Sequence, residues 1–521
     1  MCGIIVSTSP KTDALTKHIT LQKRGPDQVE IHHVDTIQFG FHRLAIMDLD
    51  PTGMQPFTKD GITLVANAEI YNYKSIRSQY PSYPYQSESD CEVLLPLYQE
   101  FGVEMFAMLD AEFAVVLYDQ QHSLIIAGRD PIGIRPLFYG YHKDDNKIIF
   151  ASEAKALIDI VDKVHPFPPG HYYIDGAFVK YHTIDEVTDF HEEPFEDIIK
   201  HIREKLITGV TKRLDSDAPM GFLLSGGLDS SIVCAIAQKY VKQPIRTFAI
   251  GMDTDPIDLK YAAQVAQYIG SDHTEVRITK EDVLSSLKEV IYALETYDIT
   301  TIRASMGMYL LSSYIHKHTD IKVLQTGEVS DELFGYKYTD FAPTPKAFQD
   351  ESLKRIRELY QYDVLRADRC LAANSLEARV PFADLAFVQY VLRISPLYKM
   401  NKYKMGKYLL RKAFEVSWLP RDIVYREKAA FSDAVGHSLV DELKAFAEQS
   451  YSDKDFNIKK KHFTPELISK EALLYREIFE MYYPSHGHLI PGYWMPNKEW
   501  DGCDVNDPSA RVLANYGDSG K

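Results

Sequence analysis

Residues 184–197, IDEVTDFHEEPFED, separate two stretches whose hydrophobic periodicities demand different folds. Before them come short β-branched and aromatic runs bounded by Gly, Asp or Asn: DTIQFGFHRLAIMD, GITLVANAEIYN, EFAVVLYDQ, SLIIAGRD, KIIFASE and GHYYIDG. Such runs predict strands. Helical spacing of apolar residues is found in DCEVLLPLYQEFG. Many strands with few helices predict an α+β sandwich, stacked antiparallel sheets with flanking helices. The acidic stretch reads as a linker into a helix. Beyond it, strand-like GFLL, IRTFAIGM and IKVLQ alternate with SSIVCAIAQKYV, LKYAAQVAQYIG and the acidic TGEVSDE. That alternation predicts an α/β domain built on a doubly wound parallel sheet. Its C-terminal part reads as helical in KYLLRKAFEVSWL and EALLYREIFEMYY. The expected domains are 2–190 and 191–521.

A chain of 521 residues is too long for a single ordinary core, which agrees with that division. The net charge of -16 argues against a nucleic-acid groove as its main surface. Five cysteines (Cys2, Cys91, Cys234, Cys370 and Cys503) without a CxxC pair fit a reducing compartment. No basic segment precedes GIIV as in a signal peptide, and no apolar run reaches membrane-spanning length. A cytoplasmic protein without membrane partners is expected.

The stretch GFLLSGGLDSS (221–231) carries the most chemical information. Two glycines after a strand let the backbone turn tightly and approach a ligand. The serine hydroxyls and the following helix N-terminus favour an anion. No GK[ST] follows, so this is not the Walker pattern. Asp229 fits a phosphate loop when a cation such as Mg²⁺ bridges it to the phosphates. A second acidic loop, TGEVSDE (326–332), follows an apolar run, where open α/β sheets place ligands. There Asp331 is a candidate to share the cation with Asp229, and Glu328 to act as a base or to orient an activated carboxylate. In YREKAAFSD, Arg426 and Lys428 are candidates for neutralising a leaving pyrophosphate. In the first half, Arg43 can grip a carboxylate bidentately, Glu69 and Asp90 can hold an ammonium group, and Asn67 can donate to an oxyanion. An α-amino acid requires both kinds of contact. Cys2, directly behind the initiator methionine, reads either as a small buried hydrophobe or as a nucleophile.

MCGI together with RGPD, ANAEIYN and SDCE is similar to the class II, N-terminal-nucleophile glutamine amidotransferase domain. SGGLDSS resembles the pyrophosphate loop of N-type ATP pyrophosphatases. With ETYDITTIRAS (295–305), SLEARVPF and YREKAAFSD, the chain resembles the type B glutamine-hydrolysing asparagine synthetases almost end to end. The resemblance implies glutamine, aspartate and ATP as substrates, Mg²⁺ as cofactor, an internal ammonia passage and a homodimer. It implies that Cys2, freed of Met1, forms a glutamyl thioester with its own α-amine as base. Arg43, Leu44, Ala45, Ile46, Met47, Asn67, Ala68, Glu69 and Asp90 would bind glutamine, with Asn67 and the Ala68 N–H as the oxyanion hole. ATP would meet Leu223, Ser225, Gly226, Gly227, Asp229, Ser230, Ile250, Thr326 and Gly327. Asp229 and Asp331 would hold the metal. Glu328 would assist formation or attack of a β-aspartyl-AMP, Thr301 and Arg303 would line the acceptor site, and Lys428 would meet the phosphates.

The family pattern is HRGPD, NGE, SGEGSDE and FGGY; this chain has KRGPD, NAE, TGEVSDE and FGY. If the glycine replaced by Ala68 has positive φ, alanine there costs about 1 kcal/mol or more. Val329, being β-branched, resists positive φ and predicts a rearranged Glu328 loop. Amidation of another carboxylate, a non-catalytic binding protein and a glutaminase with an idle second half are the competing readings.

Overall fold

The computed structural model describes residues 1–11, 13, 15–254, 256–401, 405–427 and 437–516. Two six-stranded antiparallel sheets form the first half. One runs His165–Pro166, Phe138–Tyr141, Ile148–Ala151, Gly3–Ser7, Ile37–Arg43, Gln28–Val34. The other runs Ala177–Lys180, His171–Ile174, Leu124–Arg129, Ala111–Asp119, Ile62–Ile70, Phe57–Lys59. Ile4, Val6, Phe39 and Phe41 of the first sheet pack on Val65, Ala114 and Val116 of the second. The opposite face of the second sheet, with Phe113, Val115 and Leu117, buries Leu94 and Leu97 of the helix Leu94–Phe101. Both faces of the strand Ala111–Asp119 are therefore covered, which is why FAVVLY reads as an unbroken apolar run.

The second half carries a five-stranded parallel sheet in the order Asp272–Ile278, Arg246–Met252, Met220–Leu223, Val323–Gln325, Glu377–Arg379. Helices Phe195–Lys212, Leu228–Tyr240 and Ile257–Ile269 contribute to the core on one face. Helices Lys280–Leu294, Ile299–His318, Asp363–Ala372 and Lys470–Tyr482 contribute to the core on the other. Ile5, Leu21 and Phe138 of the first half join this second core, so the two halves share apolar packing. A buried charge cluster crosses the same boundary. Arg24 lies 2.8 Å from both Glu153 and Asp368, and Arg369 lies 2.9 Å from both Glu153 and Glu295.

One sequence expectation needs correction, and one motif gains an element. The stretch KYLLRKAFEVSWL is helical only over Tyr408–Ala413, where Lys407 at φ 57 begins the turn. SLEARVPF, a motif without an assigned element, supplies the edge strand Glu377–Arg379. Among the described residues, no helix is long and apolar enough to cross a membrane.

Candidate active site

Two clefts collect the candidate residues. The first lies at the start of the chain. Cys2 immediately precedes the central strand Gly3–Ser7, and its backbone N–H donates to Asn67 Oδ1 at 2.9 Å. Its Sγ lies 3.8 Å from the Leu44 carbonyl. Asn67 is 1% exposed, and its Nδ2 has no hydrogen-bond partner among the described residues. Asn67 is not itself among the residues lining the cleft, but a buried amide donor next to the Cys2 backbone is free to receive a negative oxygen. Burial pushes the Cys2 thiol up, opposed by the nearby Met1 ammonium. That ammonium is itself buried and pairs with Glu377 at 3.2 Å.

Arg43, Leu44, Ile46, Met47, Ala68 and Glu69 line this cleft with Asp90 and Glu377. Ala45 does not line it; its N–H donates to Asp27 at 2.8 Å. Arg43 donates to Gln28 Oε1 at 3.0 Å and to the carbonyls of Asp48 and Asp50, so its guanidinium is held by the surrounding turn. Asp90 accepts from Ile70 N–H at 2.7 Å. Burial raises the Asp90 carboxyl to about 6, the Ile70 bond opposing it. Burial also raises Glu69 well above the usual range, Asp90 adding to the rise and Arg379 opposing it. Ala68 lies inside the strand Ile62–Ile70 and is not among the residues with positive φ, so the strain expected there is absent.

The second cleft, about 220 Å³, lies at the C-terminal ends of the parallel strands. Leu223, Ser225, Gly227, Asp229, Ser230 and Ile250 line it, joined across the opening by Thr326, Gly327, Glu328 and Asp331. Gly226 does not face the cleft; it makes the turn at φ +69, where an added Cβ would lie 2.5 Å from the Ala262 nitrogen. Gly327 lets the two loops meet, since a Cβ there would lie 2.9 Å from Ser230 N. Val329 keeps the left-handed turn that the family glycine position suggests, at φ +80, and is 2% exposed. The rearrangement expected of this loop is therefore not seen. Packing of the isopropyl group holds valine in a backbone state that L residues avoid.

Two cations, Lys407 and Arg366, organise these carboxylates, and neither role was read from the sequence. Lys407, 4% exposed, places Nζ 2.9 and 2.8 Å from the two Asp229 oxygens and 2.6 Å from Asp331. Ser330 Oγ donates to Asp229 at 2.7 Å. Arg366 pairs with Glu328 and, at 2.7 Å, with Asp363. Arg426 donates to the Gly226 carbonyl at 3.1 Å and to Asp258 at 2.9 Å. Lys428 lies outside the described residues.

At the proposed acceptor end the expectation shifts by one residue. Asp298 caps the helix Ile299–His318, accepting from the Thr301 N–H at 2.8 Å and from its hydroxyl at 2.7 Å, and Thr301 does not line the cleft. Thr300 does, and its Oγ1 has no hydrogen-bond partner among the described residues. Arg303 lines the cleft and is held by Glu471 at 2.9 Å and Asp507 at 3.0 Å.

Residues 1–181 match the family model described as a glutamine amidotransferase domain, and residues 201–345 and 339–503 match that described as asparagine synthase. An asparagine synthetase [glutamine-hydrolyzing] of Cricetulus griseus is 41% identical over 553 residues, covering 96% of this chain and 95% of the relative. That of Homo sapiens is 41% identical over 539 residues, covering 95% and 94%. A probable asparagine synthetase [glutamine-hydrolyzing] of Acanthamoeba polyphaga mimivirus is 39% identical over 555 residues, covering 98% and 100%. With a thiol cleft in one half, a glycine-turned anion loop in the other and relatives matched across both, the chain belongs to the glutamine-hydrolysing asparagine synthetases, carbon–nitrogen ligases that use ATP.

Proposed function

We propose that the chain makes L-asparagine from L-aspartate, the amide nitrogen of L-glutamine and ATP, releasing L-glutamate, AMP and pyrophosphate. The glutaminase unit is 2–190 and the synthetase unit 191–521. In the first, removal of Met1 converts the Cys2 nitrogen into a free α-amine. That amine takes the thiol proton, and Sγ attacks the side-chain amide carbon of glutamine. The oxyanion is received by Asn67 Nδ2 and the Ala68 N–H. The C–N bond breaks, ammonia leaves with the proton from the α-ammonium, and water hydrolyses the thioester to glutamate. Glu69 and Asp90 hold the glutamine ammonium, and Arg43 faces its carboxylate.

In the second unit, a β-carboxylate oxygen of aspartate attacks the α-phosphorus of ATP, and the bond to pyrophosphate breaks. Ammonia passing through the interior attacks the β-carbonyl carbon, AMP departs, and a proton is lost. Glu328, oriented by Arg366, assists at this centre. Asp229 and Asp331 would hold a divalent cation only together with phosphate oxygens of the nucleotide, because the Lys407 ammonium already lies within 2.6–2.9 Å of both carboxylates. Mg²⁺ held there would neutralise phosphate charge and orient the α-phosphorus.

The observation that carries the glutaminase assignment is Asn67, whose Oδ1 holds the Cys2 nitrogen while its Nδ2 donor is unpartnered. The test incubates the protein with glutamine, ATP, Mg²⁺ and aspartate and measures asparagine, AMP and pyrophosphate. Cys2→Ala should lose glutamine-dependent synthesis and keep synthesis from ammonium. Glutamine use surviving in Cys2→Ala would overturn the nucleophile, and failure of ammonium in the parent would overturn the synthetase site.

A further inference from the structure

The edge strand Glu377–Arg379 belongs to the synthetase sheet, yet its first residue, Glu377, lines the glutaminase cleft. On one side it pairs in parallel with Val323–Gln325, Gln325 lying opposite Arg379. The next residue, Thr326, donates its N–H to the Arg379 carbonyl at 3.1 Å. Thr326 and Gly327 line the nucleotide cleft. On the other side the Arg379 guanidinium, fully buried, lies 2.8 Å from Glu69 Oε1. Its Nε donates to Glu377 at 3.0 Å, and its Nη1 to the carbonyls of Arg213 and Asp215. All of these partners belong to the second half of the chain, so the guanidinium moves with that half and Glu69 must follow it. One residue thus touches the nucleotide loop with its backbone and a glutamine-cleft carboxylate with its side chain.

We propose that Arg379 is a positioning residue of the glutaminase site supplied by the synthetase half, holding the Glu69 carboxylate for the glutamine ammonium and coupling glutamine affinity to occupancy of the nucleotide loop. This rests on the reading of Glu69 as a glutamine contact. Glu69 is deeply buried, with Asp90 raising its proton affinity further, and the Arg379 charge opposes both. Without that charge Glu69 keeps its proton to higher pH and binds an ammonium poorly. A nucleotide that shifts Thr326 moves the Arg379 carbonyl, and the guanidinium carries that shift to Glu69. By linkage the effect is reciprocal, so glutamine must alter nucleotide affinity by the same factor.

The test measures glutamate release with and without ATP plus aspartate in the parent, Arg379→Lys and Glu69→Gln. Synthesis from ammonium, which uses only the Arg379 backbone, serves as the fold control. Arg379→Lys should raise KM for glutamine about tenfold or more with kcat little changed. It should also shift the acid limb of kcat/KM to higher pH and abolish the response of KM to ATP. An unchanged KM, or equal loss of glutaminase and ammonium-dependent synthesis, would overturn the positioning role. A parent whose KM for glutamine ignores ATP would overturn the coupling. If Glu69→Gln leaves KM for glutamine unchanged, the underlying reading of the glutamine cleft fails instead. Should Arg379→Lys not fold, amide exchange on the parent decides: nucleotide must change protection in both 66–70 and 377–379, and no change in either refutes the coupling.

Discussion

Asp90 offers the sharpest test of the glutaminase cleft, because the feature that suits it to an ammonium should also cost stability. Its carboxyl is buried and titrates at about 6, against 3.8 for a free aspartate. The folded state therefore holds this proton to higher pH than the unfolded chain. The group favours folding fully below pH 4, and that contribution is lost as the pH rises through about 6. The difference corresponds to about 3 kcal/mol. Asp90→Asn removes the titration while keeping an oxygen to accept from Ile70. Its stability should match the parent near pH 4 and exceed it by up to about 3 kcal/mol at pH 7.5.

Catalysis should move the other way. Loss of a charged partner for the glutamine ammonium is worth about 1.5–3 kcal/mol, a fall of roughly ten- to a hundredfold in kcat/KM. The Asp90 charge also raises the neighbouring Glu69 carboxyl, so both acids bear on the acid limb. In the parent, the acid limb of log kcat/KM should therefore be steeper than in Asp90→Asn, which keeps only the Glu69 titration. Denaturation midpoints at four pH values and glutamate-release kinetics over the same range measure both. A stability difference independent of pH, or an acid limb identical in parent and variant, would refute the reasoning.

Gly226→Ala forces a Cβ to 2.5 Å from the Ala262 nitrogen at φ +69, so AMP formation should fall tenfold or more while glutaminase activity survives. Val329→Gly relieves about 1–2 kcal/mol of backbone strain and removes a buried side chain worth about 1.5–3 kcal/mol. A net loss near 1 kcal/mol in a denaturant titration is expected, and a net gain would mean that the packing contributes little. Lys407→Met leaves Asp229 and Asp331 without their buried ammonium. Mg²⁺ alone, without nucleotide, should then raise the melting temperature of the variant and leave that of the parent unchanged.

What was legible in the sequence is what local chemistry determines. SGGLDSS announced a tight turn into a helix, and the structure gives Gly226 that turn and Leu228–Tyr240 that helix. The alternation of strand-like and helix-like runs separated the parallel from the antiparallel sheets, since parallel neighbours need a crossover helix. The helix expected over KYLLRKAFEVSWL stops at Ala413, and the chain turns again at Ser417, φ 65, a break that apolar spacing alone does not reveal. The Thr301 assignment slipped for a related reason. Adjacent threonines look alike in sequence, and only the Asp298 cap decides which hydroxyl is consumed and which faces the cleft.

The residues missed share one property: each acts through a partner far away in the chain. Lys407 acts on Asp229, Arg366 on Glu328, and Arg379 on Glu69, at separations of 178, 38 and 310 residues. A buried carboxylate must be paired or protonated, so each functional acid implies a cation somewhere. Sequence reading found the acids because loops advertise them. The compensating cations lie in MGKYLL, VLRADR and LEARVP, where an Arg or Lys among apolar residues is also what an amphipathic surface element shows. Supplying Arg379 from the other half has a further consequence. Deleting the synthetase half would remove the guanidinium 2.8 Å from Glu69 and leave Arg135 as its nearby cation. An isolated 2–190 fragment should therefore bind glutamine far more weakly than the full chain, even with Cys2, Asn67 and Asp90 intact.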